Sequence, residues 1–231
     1  TFNKIAAVDL FTISYLGEER SYLNVVCHGT NFQLVTDVLN KESATVWRTF
    51  AKSWLGYFGP PELLICDGGP EFIGSPFIRG AEHWGIFQHV CDANSPWQNG
   101  RCERHGGWIQ RRVYATLDSG EEIISSAEDL DEFIGALVAS KNRFFHRGGY
   151  SPFQLVYGQN PRVPFELLGD DPMSDVAQQD FAADPWMADA ATGEFQKSQR
   201  IREGAREIAL KRVADEKIND AVKARHHSDI V

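Results

Sequence analysis

The chain has 231 residues, of which 42% are hydrophobic and 24% are charged, a composition ordinary for a globular protein with a sizeable core. It contains no run of about 18 apolar residues, so we expect no membrane-spanning helix. Taken alone, the formal net charge of −9 disfavours a nucleic-acid-binding protein, but the acidic residues are unevenly distributed along the chain.

The first part of the chain predicts an antiparallel meander of three strands. Residues 4–15, 21–28 and 32–38 are rich in β-branched and aromatic residues, and residues 17–19 are the predicted turn between the first two strands. Apolar side chains then recur at helical spacing over residues 42–57, which predicts a helix after the meander.

The following segments alternate between short strands and helices. Residues 62–66 are almost wholly apolar, as expected for a strand covered on both faces, and residues 86–91 predict a further strand. Helices are predicted over 70–84, about 101–118 and about 127–145. Together these elements predict an α/β domain with a five-stranded mixed sheet and helices on both faces.

The charge separates the chain into three predicted parts. Residues 1–164 form the predicted core domain. Residues 165–194 carry eight Asp and Glu but no Lys or Arg, which predicts an acidic linker. Residues 195–231 predict a long amphipathic helix whose apolar stripe comprises Ile201, Ala205, Ile208, Val213, Ile218 and Val222. Most of the negative charge therefore belongs to the linker.

Four cysteines are widely separated and include no C-x-x-C pair. Most of them lie in or beside apolar strand candidates, so we expect buried free thiols rather than disulfides or a zinc site.

Three carboxylates stand where the predicted topology brings them together. Asp9 lies inside the first strand, Asp67 directly follows the fourth, and Glu103 opens the helix after a loop over 92–100. A carboxylate within an apolar strand is costly unless it is paired or binds a metal. If the first and fourth strands are neighbours, Asp9 and Asp67 share one sheet edge. Such oxygen ligands favour Mg²⁺ or Mn²⁺, and two such ions support phosphoryl transfer.

The spacing of these acids, with 57 residues between the first two and 35 between the last two, resembles the signature of retroviral and retrotransposon integrases. Three segments are also similar to segments of this family. ICDGGPEFIGSPF (65–77) resembles the segment around the second acid, and NSPWQNGRCER (94–104) resembles the loop and helix that carry the Glu. SPFQLVYGQNPR (151–162) resembles the segment that closes the core in gypsy- and copia-type elements. The resemblance covers about residues 4–164.

The resemblance implies a ribonuclease-H-like fold and a homo-oligomer that acts on DNA. The implied activity is 3′-end processing of element DNA and strand transfer into host DNA, with Asp9, Asp67 and Glu103 holding two Mg²⁺ or Mn²⁺ ions. It also implies an intracellular protein, in the nucleus or cytoplasm, cut from a retroelement Pol polyprotein. The start at Thr1, without Met, agrees with a piece of a polyprotein.

We expect DNA contacts from the loop and helix around Glu103. The candidate residues are Trp97, Gln98, Asn99, Arg101, Arg104, Arg111 and Arg112. The sequence departs from the family at Gly107 and Gln110, where retroviral members carry lysines, and at Gly68, where Asn is common. A further basic cluster, which includes Lys141 and His146, lies at the predicted end of the next helix, where the helix dipole explains it as well as DNA does.

Three alternatives remain open on the sequence. One is a ribonuclease H or related nuclease, which usually needs four acids in another arrangement. The second is a DDE transposase with the same chemistry. The third is a domesticated or decayed integrase that binds DNA without catalysis.

Overall fold

A computed structural model describes residues 1–91, 99–119, 124–146, 148–161 and 193–228, with the backbone alone for 193–196, 199 and 220–228. The strands are β1 (Ile5–Tyr15), β2 (Glu18–Cys27), β3 (Gln33–Val38), β4 (Leu63–Cys66) and β5 (Phe87–Val90). Within the described residues they form one sheet in the order β3-β2-β1-β4-β5. β1, β2 and β3 are antiparallel neighbours, whereas β4 and β5 run parallel to β1. The predicted meander and five-stranded mixed sheet are confirmed.

The hairpin between β1 and β2 is tighter than predicted. The turn is Leu16-Gly17 alone, and both residues have positive φ, 52° and 81°. This two-residue conformation matches the right-handed twist of the flanking strands. β2 therefore already begins at Glu18, and the prediction of a turn over 17–19 was wrong.

The helices in the described ranges cover both faces of the sheet. They are α1 (Ser43–Phe50), α2 (Gly56–Phe58), α3 (Pro70–Ile73), α4 (Ser75–His83), α5 (Gly100–Asp118), α6 (Ala127–Phe144), α7 (Pro152–Tyr157) and α8 (Gly193–Ser228). A π-helical segment, Ala51–Leu55, joins α1 to α2, so the predicted helix over 42–57 is continuous. One hydrophobic cluster includes Phe50, Trp54 and Phe77 of the first helices, and a second includes Ile109, Phe133 and Ile201 of α5, α6 and α8.

The predicted helix over 70–84 is two helices that meet at Gly74. Gly74 is extended, with φ −65° and ψ 143°, and Pro76 lies in the first turn of α4. A Cβ at position 74 would lie 2.4 Å from the Ser43 Oγ. The close approach to α1 therefore fixes the break, and only a residue without a side chain fits there.

The long C-terminal helix is confirmed and packs along α6. Ile201 and Ala205 are fully buried, as the stripe predicts. The prediction was wrong for Ile218, which is 61% exposed, because the packing on α6 described for this helix lies in its N-terminal half. Lys197 forms an ion pair with Asp129 at the start of α6. The predicted acidic linker falls almost wholly on residues 162–192, outside the described ranges, so the division into three parts stays a prediction.

The α7 helix was not predicted, although Ser151 and Gln154 form a capping box at its start. Cys27, Cys66 and Cys102 are free and buried, as predicted, whereas Cys91 is half-buried. Across the described residues, no helix has both the length and the apolar character needed to cross a membrane.

A candidate carboxylate site at the edge of the sheet

Asp9 and Asp67 lie at the same level on neighbouring parallel strands. Ala7 of β1 pairs with Ile65 of β4, and each acid stands two residues beyond that pair. Adjacent strands are about 4.8 Å apart, so this register brings the two carboxylates to one edge of the sheet. Asp9 also shares the strand face of Ala7 and Phe11, since alternate residues point to the same side.

Two polar contacts hold the start of α5 against β1. The Asn99 amide donates to the Val8 carbonyl at 3.3 Å, directly before Asp9 in the chain. The buried Cys102 thiol donates to the Ala7 carbonyl at 3.5 Å. Because Glu103 follows Cys102, these contacts place its carboxylate near the strand edge that carries Asp9.

Gly106 lets α5 approach the sheet closely. A Cβ at this position would lie 3.2 Å from the Asn24 Nδ2 and 3.3 Å from the Phe11 Cδ1. Asn24 is fully buried and its amide donates to the Cys102 carbonyl at 2.9 Å, so it has little freedom to move aside. The glycine thus belongs to the packing between the helix and strands β1 and β2.

The charges of Asp67 and Glu103 act on Asp9. Burial and then the charges of Asp67 and Glu103 raise the pKa of Asp9 to about 7, and Glu71 adds to the effect. The Asp67 carboxylate accepts a hydrogen bond from the Gly69 backbone at 3.1 Å. Glu71 lies in the first turn of α3. Its electrostatic effect on Asp9 could not be derived from the sequence.

The donor set at this edge fits a hard divalent cation. Several oxygen ligands with mutual repulsion suit Mg²⁺ or Mn²⁺, and a bound cation would offset the charge that raises the pKa of Asp9. As they stand, however, no three His, Cys, Asp or Glu side chains among the described residues form a group that could hold a metal ion. The carboxylates are near enough to repel one another, but a cation would have to draw them together.

The candidate DNA contacts occupy different environments. Asn99 is 2% exposed and hydrogen-bonded to β1, which makes it a positioning group in this structure. Arg104 and Arg111 are exposed, whereas Arg101 and Arg112 are partly buried. Arg101 donates to the His28 carbonyl. Trp97 and Gln98 lie outside the described residues.

The sheet order, the helices on its two faces and the carboxylate edge define a ribonuclease-H-like fold. This is the fold of retroviral integrase catalytic cores. No protein-family model matches the chain, and no curated protein matches it.

Three solved structures illustrate the similarity. The HTLV-2 integrase catalytic core domain in complex with magnesium, in its trimeric form, aligns with a TM-score of 0.54 and 18% identity over 66% of this chain and 95% of that chain. The BIV integrase catalytic core domain aligns with a TM-score of 0.50 and 15% identity over 66% and 93%. A simian T-cell lymphotropic virus intasome, in complex with PP2A regulatory subunit B56 gamma, aligns with a TM-score of 0.59 and 16% identity. That match covers 70% of this chain but only 57% of the intasome chain.

Proposed function

We propose that this chain is a metal-dependent DNA integrase core that catalyses 3′-end processing and strand transfer of retroelement DNA into host DNA. The observation that carries the proposal is the shared level of Asp9 and Asp67, with Glu103 held over the same edge by the anchored start of α5. The fold supports the proposal because solved integrase cores share it.

In this proposal Asp9, Asp67 and Glu103 would hold two Mg²⁺ or Mn²⁺ ions. Bound there, the ions would supply charge neutralisation at the reacting phosphate and activation of the attacking oxygen. The three carboxylates position the reacting groups, and no covalent bond to the protein is needed. Water would attack near the 3′ end of element DNA, and the exposed hydroxyl would then attack target DNA.

The proposed partners are the ends of element DNA, target DNA and further copies of this chain. Support for self-association comes from the HTLV-2 core, which is described in both a dimeric and a trimeric form. We also propose an intracellular site of action, in the nucleus or cytoplasm, for a protein cut from a Pol polyprotein. A DDE transposase would use the same carboxylates in the same way.

Two observations favour a different class of function, a DNA-binding relic without catalysis. The carboxylates form no metal-binding group as they stand among the described residues. Gly107 and Gln110 also replace the two lysines that retroviral members are expected to carry after the Glu. The intact set of three acids is what ranks catalysis first.

A strand-transfer assay tests the proposal. Short duplex oligonucleotides are incubated with the chain in Mg²⁺ and then in Mn²⁺, and the reverse, disintegration-type reaction is run in parallel. We expect joined products from the unaltered chain and none from Asp67→Asn. The matched control is Glu18→Gln, which neutralises an exposed carboxylate at the hairpin, away from the carboxylate edge. Products from neither protein in either metal, with DNA binding retained, would leave the non-catalytic relic as the better description.

A further inference from the structure

Helices α5, α6 and α8 line a pocket of about 560 Å³ that is open to solvent. Arg101, Arg104, Trp108 and Arg111 of α5 form one wall, and their spacing of three, four and three residues keeps them on one helical face. The end of α6 contributes a second wall and α8 a third. This volume lies within the range of small-ligand sites.

The pocket is strongly cationic. The basic side chains that line it are Arg101, Arg104, Arg111, Lys141 and Arg212. Among the described lining residues Glu216 is the single acid, and it is already paired with Arg212 at 2.6 Å. The C-terminal end of α6 adds about half a negative charge, which the basic groups exceed several times over. The balance therefore favours an anion.

Lys141 is the most unusual group in the pocket. It is 3% exposed, and its ammonium group contacts two neutral acceptors, the Gln33 Oε1 and the His105 Nδ1. Burial lowers the pKa of Lys141 to about 7, and burial together with Lys141 lowers the pKa of His105 to about 2, so the imidazole stays neutral. An ammonium has three donors, and two are used here. A buried cation without a carboxylate partner is costly unless a ligand supplies the opposite charge.

Trp108 and Phe145 form the apolar side of the pocket. Trp108 is 5% exposed, and its indole Nε1 has no hydrogen-bond partner among the described residues. Phe145 packs edge-on against it at 5.2 Å and completes an apolar side of the pocket. The Nε1 itself is inaccessible to solvent, so Trp108 and Phe145 offer the ligand apolar contact, and the cationic walls supply the hydrogen-bond donors.

We propose that this pocket binds phosphate groups, as a second anion site separate from the carboxylate edge. Arginine forks and a lysine ammonium match phosphate oxygens well. Glu103 is on α5 but does not line the pocket, so the two sites use different faces of that helix. The phosphates could come from a DNA backbone or from a small polyphosphate. The inference does not depend on the proposed integrase reaction.

Calorimetric titration of the full chain with inorganic tripolyphosphate, in EDTA and at physiological salt, tests the site. We expect one-to-one binding that weakens about tenfold or more in the double variant Arg104→Ala/Arg111→Ala. Both arginines are exposed, so the fold should persist, which circular dichroism checks. The matched control is Arg48→Ala/Arg79→Ala, which removes two exposed arginines from α1 and α4. Equal affinity in both double variants, or no binding by the unaltered chain, would overturn the proposal.

Two further arms separate this site from the carboxylate edge and identify its ligand. Asp67→Asn should bind tripolyphosphate as tightly as the unaltered chain, even if strand transfer is lost or was never present. An affinity that changes with Asp67 would place the anion at the carboxylate edge instead and overturn the proposal. If a short DNA duplex displaces bound tripolyphosphate, the pocket is supported and its ligand is the phosphate of a DNA backbone. If duplex DNA does not displace bound tripolyphosphate, the pocket is supported and its ligand is a small polyphosphate.

Discussion

The Asn99 side chain donates to the carbonyl of Val8, so the first turn of α5 is tied to the residue before Asp9. The bond crosses from the helix that carries Glu103 to the strand that carries Asp9. The separation of these two carboxylates therefore depends on a neutral amide with no charge of its own.

Replacing Asn99 with Ala should reduce activity more than stability. One lost neutral hydrogen bond costs about 1 kcal/mol, whereas a displacement of about 1 Å at the reacting groups can cost about a hundredfold in rate. We expect Asn99→Ala to join DNA about tenfold to a hundredfold more slowly with a small drop in Tm. Parallel kinetic and thermal unfolding measurements check this, with the exposed Asn40→Ala as control. Unchanged joining would remove Asn99 from the positioning of Glu103.

Replacing Asp9 with Asn should stabilise the protein in EDTA. The half-buried Asp9 carboxylate is repelled by the charges of Asp67 and Glu103, and a neutral amide removes this repulsion. We expect the Tm of Asp9→Asn to be a few degrees higher than that of the unaltered chain at pH 8 without metal. Mg²⁺ should stabilise the unaltered chain but not Asp9→Asn. Glu18→Gln should show neither change. A lower Tm for Asp9→Asn in EDTA would contradict the repulsion.

Alanine should have opposite effects at two adjacent glycines of α5. At Gly107 a Cβ would meet only the Arg111 Nη1 at 3.5 Å, so the gain in helix propensity of about 1 kcal/mol is expected to appear in full. At Gly106 the Cβ would crowd Asn24 and Phe11, and Phe11 is itself stacked on Tyr22. We expect Gly106→Ala to lower the free energy of unfolding by about 1 kcal/mol. Denaturant unfolding of both variants measures the two changes in the free energy of unfolding. Equal changes would show that the contact between α5 and the sheet has room for a Cβ at position 106.

Asp129 should contribute stability that is lost in acid. Burial alone would raise its pKa, but hydrogen bonds from Lys197 and Ser125 hold the pKa at about 2, below its usual 3.8. A depressed pKa means that the contribution is complete above about pH 4 and fades as the pH falls through 2. Asp129→Asn should therefore cost about 2 kcal/mol at pH 7. The free energies of unfolding of the two proteins, measured at several pH values, should differ less and less below pH 4. A difference that stays constant with pH would show that the Asp129 carboxylate is not its source.

The elements of the carboxylate edge could be predicted because they depend on local patterns. The strand around Asp9, the apolar strand before Asp67 and the helix that carries Glu103 each have a clear periodicity or composition. Their convergence followed from one assumption, that the first and fourth strands are neighbours, and the sheet order confirms it.

The remaining features depend on contacts between distant segments, which no local pattern records. The break at Gly74 follows from the approach of Ser43 on another helix. Lys141 was predicted only as part of a basic cluster at a helix end, but Gln33 and His105 contact it from two other elements. The α7 helix is different, because its Ser-Pro start and capping box were legible in the sequence.

Because α8 packs against α6, its removal would change how a shorter protein behaves in solution. A chain ending at Pro161 would keep β1 to β5 and all three carboxylates, yet it would uncover the surface now buried by Ile201, Ala205 and Ala209. An exposed apolar stripe of this kind promotes aggregation. Poor solubility of a trimmed core would then report the missing helix and would say nothing against the integrity of the carboxylate edge.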